Sequence, residues 1–305
     1  VRALVTGGAG FIGSHIADAL VDAGHSVTVI DDLSRGRRAQ VNAAAQFVEI
    51  DITSNGLAAT VAAARPEVIF HHAAQMDVRE SVRDPLHDAD VNVVGTVNVL
   101  RSAVDAGARR VVFASSGGAI YGDAAVIPTP EDHPCLPASP YGTAKLCAEA
   151  YGGTFSRQAG LDFVALRYAN VYGPRQDPHG EAGVVAIFAT RLLHGEPSVI
   201  NGDGTQTRDY VHVQDVVRAN LAAVDGPPGV YNIGTGVEMD VNTVYRMLAA
   251  ACGGGGAAGH GAAKPGEQRR SCLDTTFARE RLGWAATIPF EEGLRSTIDF
   301  FRNAR

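Results

Sequence analysis

The chain has 305 residues, 46% apolar and 19% charged, enough to bury a sizeable core over roughly two domains and too apolar for global disorder. Asp plus Glu total 33 against 26 Lys plus Arg, a formal charge of −7 that argues against nucleic-acid binding but not against a small anion held by a few local Arg or Lys. Four cysteines (135, 147, 252, 272) form no C-x-x-C pair, so neither a disulfide framework nor a metal site is expected, and a reducing, cytoplasmic compartment fits. The chain opens on a strand pattern without a charged-then-apolar leader and has no run of about 18 apolar residues, so no membrane association is expected.

Residues 2–6 read as a β-strand. Ile12, Ile16, Ala19, Leu20 and Ala23 then recur at helical spacing up to Gly24, a natural helix stop. Further strands are predicted at 26–30, 47–50, 68–70, 111–114 and 163–166. These are near-continuous apolar runs, as a parallel sheet covered on both faces requires. Helical patterns at 55–64, 90–106 and 141–158 lie between them. The predicted fold class is α/β, a Rossmann-type doubly wound parallel sheet. After about residue 170 the pattern becomes irregular, with helices near 182–194, 213–224, 240–252 and 276–282. A smaller C-terminal α/β lobe is expected there, with 1–170 plus 211–235 forming the first domain and 171–210 plus 236–305 the second. The small residues from Gly253 to Ala263 read as a flexible surface loop, with a functional lid as the second reading.

The segment TGGAGFIG at 6–13 follows a strand and opens a helix, with Gly7, Gly10 and Gly13 spaced G-x-x-G-x-x-G. Gly7 allows the tight turn, Gly10 lets the backbone approach a pyrophosphate, and Gly13 lets helix and strand pack closely. The helix start at Phe11 and Ile12 offers N–H groups and a favourable dipole to phosphates. Asp31, 18 residues past Gly13, ends the second strand, where a carboxylate accepts from ribose hydroxyls and favours NAD over NADP. Asp32 adds negative charge, while Arg35, Arg37 and Arg38 pull the other way. A solvated turn is the plain alternative for Asp31 and Asp32. Asp51 and Ile52, after the third strand, stand where the adenine would lie, with an ordinary turn carboxylate as the alternative.

Tyr141 and Lys145 in PYGTAK at 140–145 are four residues apart, on one face of a helix. A nearby ammonium and a cationic nicotinamide favour phenolate over phenol, which would let Tyr141 act as a base near neutral pH. Ser115 and Ser116 end the preceding strand. His71 and His72 close another strand without a ligand cluster, and Trp284 reads as core.

With these motifs stand HHAAQ at 71–75, SSGGAIYGD at 115–123, LRYANVYGPRQ at 166–176, GDGTQTRDYVHVQDV at 202–216, YNIGTG at 231–236 and LGW at 282–284. Over nearly its whole length the chain resembles the extended short-chain dehydrogenase/reductase superfamily, and within it the NAD-dependent nucleotide-sugar epimerases of the UDP-glucose/UDP-glucuronate 4-epimerase type. The resemblance makes Tyr141 the catalytic tyrosine and Lys145 its lysine and nicotinamide-ribose ligand. It places Ala73, Ala74, Gln75 and Asn92 by the cofactor and Tyr168 between nicotinamide and sugar. Asn170, Arg208 and Tyr210 would hold the diphosphate, and Val184, Val185, Val199, Asn201 and Val244 the uridine. It also implies a UDP-sugar substrate and a homodimer packed through 90–106 and 141–158.

Two departures stand out. The family serine position, four before Tyr121, is Gly117, so the hydroxyl comes from Ser116 or Ser115, with Ser116 favoured. The diphosphate arginine is replaced by Lys264, which keeps the charge but not the bidentate fork, and Arg269 or Arg270 would share its role. No acid follows Ser116, which disfavours dehydration and decarboxylation and leaves 4-epimerisation through a transient 4-keto sugar. Other extended-family chemistry and a non-catalytic NAD(P)-binding regulator are the competing readings. Ser271 is small enough to admit a 2-N-acetyl group. Arg191 would pair with a carboxylate on carbon 5, making UDP-glucuronic acid a substrate beside UDP-glucose; a surface arginine is the equal alternative.

Overall fold

The computed structural model describes residues 1–179, 183–254, 256–263 and 268–303. In chain order the elements are β1 (Arg2–Thr6), α1 (Phe11–Asp22), β2 (Ser26–Asp31), β3 (Gln46–Glu49), α2 (Leu57–Ala64), β4 (Val68–His71), α3 (Val78–Arg83), α4 (Pro85–Ala89), a π-helical turn (Asp90–Gly95), α5 (Thr96–Asp105), β5 (Arg110–Ser116), α6 (Gly117–Ile120), α7 (Pro140–Ala159), β6 (Asp162–Tyr168) and β7 (Asn170–Tyr172). They continue with α8 (Val184–His194), β8 (Val199–Asn201), β9 (Thr207–His212), α9 (Val213–Ala222), β10 (Gly229–Ile233), β11 (Glu238–Asp240), α10 (Val241–Ala251), β12 (Gly259–Gly261), α11 (Thr276–Leu282) and α12 (Phe290–Asn303).

The main sheet has seven strands in the order β10-β6-β5-β4-β1-β2-β3, every pair parallel. Chain direction across the sheet reverses at β1, and the carboxyl ends of β1 and β4 frame the crevice where open α/β sheets take ligands. Val5, Val29 and Phe70 pack one face against Ile16, Leu20 and Val216 from α1 and α9. Leu4, Ile69 and Val111 pack the other against Val61, Leu100 and Ala148 from α2, α5 and α7. Each such fully buried side chain contributes roughly 1.5–3 kcal/mol, which fixes the two helical layers on the sheet.

The predicted strands and helices of the first 170 residues are present to within a residue or two, with one difference in kind. The 90–106 helix begins as a π-turn, in which the Thr96 hydroxyl bonds back to Asn92 O at 2.7 Å and Asn92 Nδ2 donates to Asp88 Oδ1 at 2.9 Å. Trp284 is core, its Nε1 donating to Asp215 O at 2.9 Å.

In the C-terminal lobe, β11-β9-β7 make a three-stranded sheet and β12-β8 a parallel pair. The 253–263 segment is therefore not simply a loop, since 259–261 pairs with 199–201. The core of this lobe is Phe188, Tyr245, Leu248, Leu294 and Ile298 from α8, α10 and α12. Just beyond β7 the chain is bound to α1, where Arg175 pairs with Asp18 at 2.7 Å and His15 Nε2 lies 2.9 Å from Pro174 O. Among the described residues no helix is long and apolar enough to cross a membrane.

Candidate active site

A single cleft of about 1760 Å³ runs from the glycine loop, past the ends of β4 and β5, to α8, β8 and β9. At its amino-terminal end the backbone leaves no room for side chains. A Cβ on Gly7, whose φ is +68°, would lie 2.6 Å from Ala73 N, and a Cβ on Gly13 would lie 2.3 Å from Gly7 O. Gly10 caps α1 without a side-chain bond to its first N–H groups. Glycines at these positions therefore keep the turn tight and the start of α1 open to an anion.

Asp31, 7% exposed, accepts from Ala9 N at 2.9 Å and Leu33 N at 2.8 Å. Burial pushes its carboxyl up while those two N–H groups hold it down. Both bonds fix the carboxylate at the cleft wall beside the glycine loop. Asp32 and Asp51 also reach the cleft but close local turns, accepting from Ser34 N at 3.0 Å and Thr53 N at 2.7 Å. Gly7, Gly10, Phe11, Ile12, Gly13, Ile52, Ala73, Ala74 and Gln75 all line the same end. The cradle, the helix start and the carboxylate together fit a dinucleotide.

Ser139 caps α7, its Oγ accepting from Gly142 N at 3.1 Å, and Pro140 takes the first helical position, so Tyr141 is set in the first turn. A Cβ on residue 142 would meet Ala119 O at 2.5 Å, so glycine there lets α7 close against α6. The Ser116 hydroxyl stands beside the Tyr141 phenol on the cleft wall and favours its ionised form. Lys145 Nζ donates to Ala114 O at 2.9 Å and lies 5.7 Å from the Tyr141 ring centre. Burial pushes Tyr141 up to about 12, opposed by the Ser116 hydroxyl and reinforced by the Asp88 carboxylate. Burial brings Lys145 down to about 8, opposed by Asp88 and Glu149. Among the chain's own groups burial outweighs Ser116, and the expected phenolate also counts on a cationic nicotinamide.

Ser115, the other candidate, also borders the cleft, but its hydroxyl is engaged elsewhere. Its hydroxyl donates to Glu149 Oε1 at 2.6 Å, since adjacent strand residues point to opposite faces. The Gly117 position is closed to a hydroxyl: a Cβ there would lie 2.5 Å from Leu273 Cδ1. Tyr168 is buried at the cleft wall, its hydroxyl 3.0 Å from His72 Nε2 and 2.8 Å from Asn220 Nδ2. Asn170, Val184, Arg191, Val199, Asn201, Arg208 and Tyr210 line the far end, with Arg191 donating to Pro197 O at 3.4 Å.

Several predicted residues are not on the cleft wall. Asn92 lies behind it, bonded to Gln75 O at 2.8 Å and Asp88 Oδ1 at 2.9 Å. Val185 and Val244 are fully buried in the C-terminal lobe, because those helices turn them toward Leu248 and Leu294. Ser271 is buried beside β9, its N donating to Thr207 O at 3.2 Å, and Arg269 and Arg270 pair with Asp203 and Glu238. Lys264 lies outside the described residues. Sequence reasoning passed over Glu149, Arg167 and Asp88, although Glu149 stands four residues beyond Lys145 on the same helix face.

Residues 3–234 match the model of the NAD dependent epimerase/dehydratase family. Similar proteins include a UDP-glucose 4-epimerase of Mycolicibacterium smegmatis, 48% identical over 99% of both chains. Among solved structures, a UDP-glucose 4-epimerase with UDP-glucose from Thermotoga maritima superposes with a TM-score of 0.98 at 46% identity, covering 100% of this chain and 99% of that one. A Thermus thermophilus UDP-glucose 4-epimerase in complex with NAD superposes with a TM-score of 0.95 at 42% identity over 100% of both chains. With the glycine cradle, Asp31 and the Ser116–Tyr141–Lys145 group on one cleft, the chain belongs to the NAD-dependent epimerase/dehydratase family, as an isomerase that works with NAD.

Proposed function

We propose that the protein is a UDP-sugar 4-epimerase that interconverts UDP-glucose and its carbon-4 epimer. The observation carrying this reading is the continuous cleft, which puts the Tyr141 phenol between a dinucleotide cradle and a second anion-binding end that includes Arg208. In this assignment residues 1–170 with 211–235 hold the dinucleotide, and 171–210 with 236–305 hold the nucleotide sugar.

Bound in the cradle, NAD supplies a hydride acceptor and donor for carbon 4 and a positive ring charge beside Tyr141. Tyr141 Oη takes the proton of the sugar 4-hydroxyl and later returns it. Ser116 holds that oxygen in place, and Lys145 keeps a positive charge near the ring. Arg208, with Asn170 and Tyr210, grips the diphosphate while the flat 4-keto ring turns to present its other face. The grip must be firm and the hexose pocket loose, since both faces are used in one turnover.

Arg191 supports a second reading. It lines the cleft and has no carboxylate partner among the described residues, so it can meet a substrate carboxylate, as UDP-glucuronic acid would provide. Exposed Val94 and Tyr151, on the π-turn and α7, support a homodimer through that layer, to be tested by sedimentation.

The test is incubation with UDP-glucose, UDP-glucuronic acid and UDP-N-acetylglucosamine separately, with products resolved by chromatography. Inversion of UDP-glucose with no free NADH accumulating supports the proposal. NADH released in step with product, or solvent deuterium entering carbon 4, overturns it. Unchanged glucuronate turnover in Arg191→Gln removes the second reading.

A further inference from the structure

Tyr141, Lys145 and Glu149 fall at successive turns on one face of α7, and each meets a consecutive residue of β5. Lys145 Nζ donates to Ala114 O at 2.9 Å, Glu149 Oε1 accepts from Ser115 Oγ at 2.6 Å, and the Tyr141 phenol stands beside the Ser116 hydroxyl. Arg167, the cross-strand partner of Ser115 on β6, closes on the same carboxylate with Nε at 3.0 Å and Nη2 at 2.7 Å. Both side chains of this ion pair are only 6% exposed. The Arg167 Nη1 atom also donates to the Tyr121 hydroxyl at 2.8 Å, which donates to Asn232 Oδ1 on β10 at 2.8 Å.

We infer that the Glu149–Arg167 pair, through Ser115, is the positioning unit that sets the rotation and height of α7 against β5 and so brings Tyr141 onto Ser116. A buried ion pair is weak evidence for stability, because desolvation offsets its attraction. Its geometric content is larger: a planar guanidinium held at both Nε and Nη2 by one carboxylate, which also accepts from Ser115, restricts the arrangement of β5, β6 and α7. Neither residue lines the cleft, so they act only through the rungs nearer the chemistry. Loss of the third rung leaves the Lys145–Ala114 bond and the apolar packing of Ala148 to hold α7 on β5 without the ion pair's fixed angle, and small misplacements at a reacting centre are costly.

The inference rests on the epimerase reading, and two readouts separate the failure of one from the failure of the other. In holoenzyme, Ser115→Ala and Glu149→Gln should each lower kcat by about tenfold to a hundredfold with KM for the nucleotide sugar changed little. Tyr141 ionisation, followed by ultraviolet difference absorbance against the same chain carrying Tyr141→Phe, should move to higher pH in both variants. The Ser116 hydroxyl favours phenolate, whereas Asp88 from α4 opposes it and Lys145 faces the ring from α7 itself. The absorbance readout needs no turnover. An inactive wild type therefore overturns the epimerase reading while the titration still tests the positioning. Ser115→Ala leaves the ion pair intact and serves if Glu149→Gln does not fold. An unmoved tyrosine titration in Ser115→Ala, or kcat within twofold of wild type, overturns the positioning role, as does a loss shared equally by kcat, KM and thermal stability.

Discussion

Gly117 and Leu273 compete for one volume: a Cβ on Gly117 would lie 2.5 Å from Leu273 Cδ1 and 2.8 Å from Cδ2, with Leu273 itself 1% exposed. A segment late in the chain thus crowds the position just after β5 where a hydroxyl would otherwise fit. Gly117→Ser should lower unfolding free energy by about 1–3 kcal/mol, the usual cost of overpacking. Leu273→Ala alone should cost about 2–5 kcal/mol. Combined, the two should cost clearly less than their sum, and chemical denaturation of all three variants measures that coupling.

Ser116→Ala removes the hydroxyl that favours the Tyr141 phenolate. The active, deprotonated form exists above the tyrosine pKa, so the kcat–pH profile of the holoenzyme should shift to higher pH. At neutral pH kcat should fall by about a hundredfold. Tyr141→Phe should abolish turnover while leaving nucleotide-sugar binding by calorimetry intact; retained turnover would remove Tyr141 as the base.

Asp31→Ala leaves Ala9 N and Leu33 N without their carboxylate acceptor. Beyond the lost ribose contact, the glycine turn loses its brace, and NAD affinity should weaken by about 1–3 kcal/mol. The measurement is the fraction of NAD retained through gel filtration, with calorimetric titration of the stripped protein.

His72 is driven down to about 3 by burial and by the Lys145 ammonium, and His212 down to about 4, mainly by burial. Unfolded, both imidazoles take up protons near their ordinary 6.5. Below that pH the unfolded chain binds more protons than the folded one, so stability should fall as pH drops through this window. The fall should reach on the order of a few kcal/mol by about pH 4. His212→Asn, which keeps a cap acceptor at the start of α9, should flatten the profile seen in urea titrations at successive pH values.

Local spacing made much of the site legible. Gly7, Gly10 and Gly13 stand within one turn and one helix start, and Tyr141 and Lys145 within one helical turn, so local spacing shows that they belong together. What the sequence left open depended on distant partners. Ser115 and Ser116 are indistinguishable as letters; Glu149 engages the Ser115 hydroxyl and leaves Ser116 beside Tyr141. Val185 and Val244 sit in elements that reach the second lobe, but packing against Leu248 and Leu294 turns them from the cleft. The π-turn was not legible because its apolar spacing reads as an ordinary helix.

The attachment of Pro174 and Arg175 to His15 and Asp18 means that the two halves of the molecule share a seam directly behind the phosphate cradle. Swinging the lobes apart would tear that seam before it widened the mouth. Parting the two halves would therefore cost the Asp18–Arg175 ion pair and the His15–Pro174 bond together.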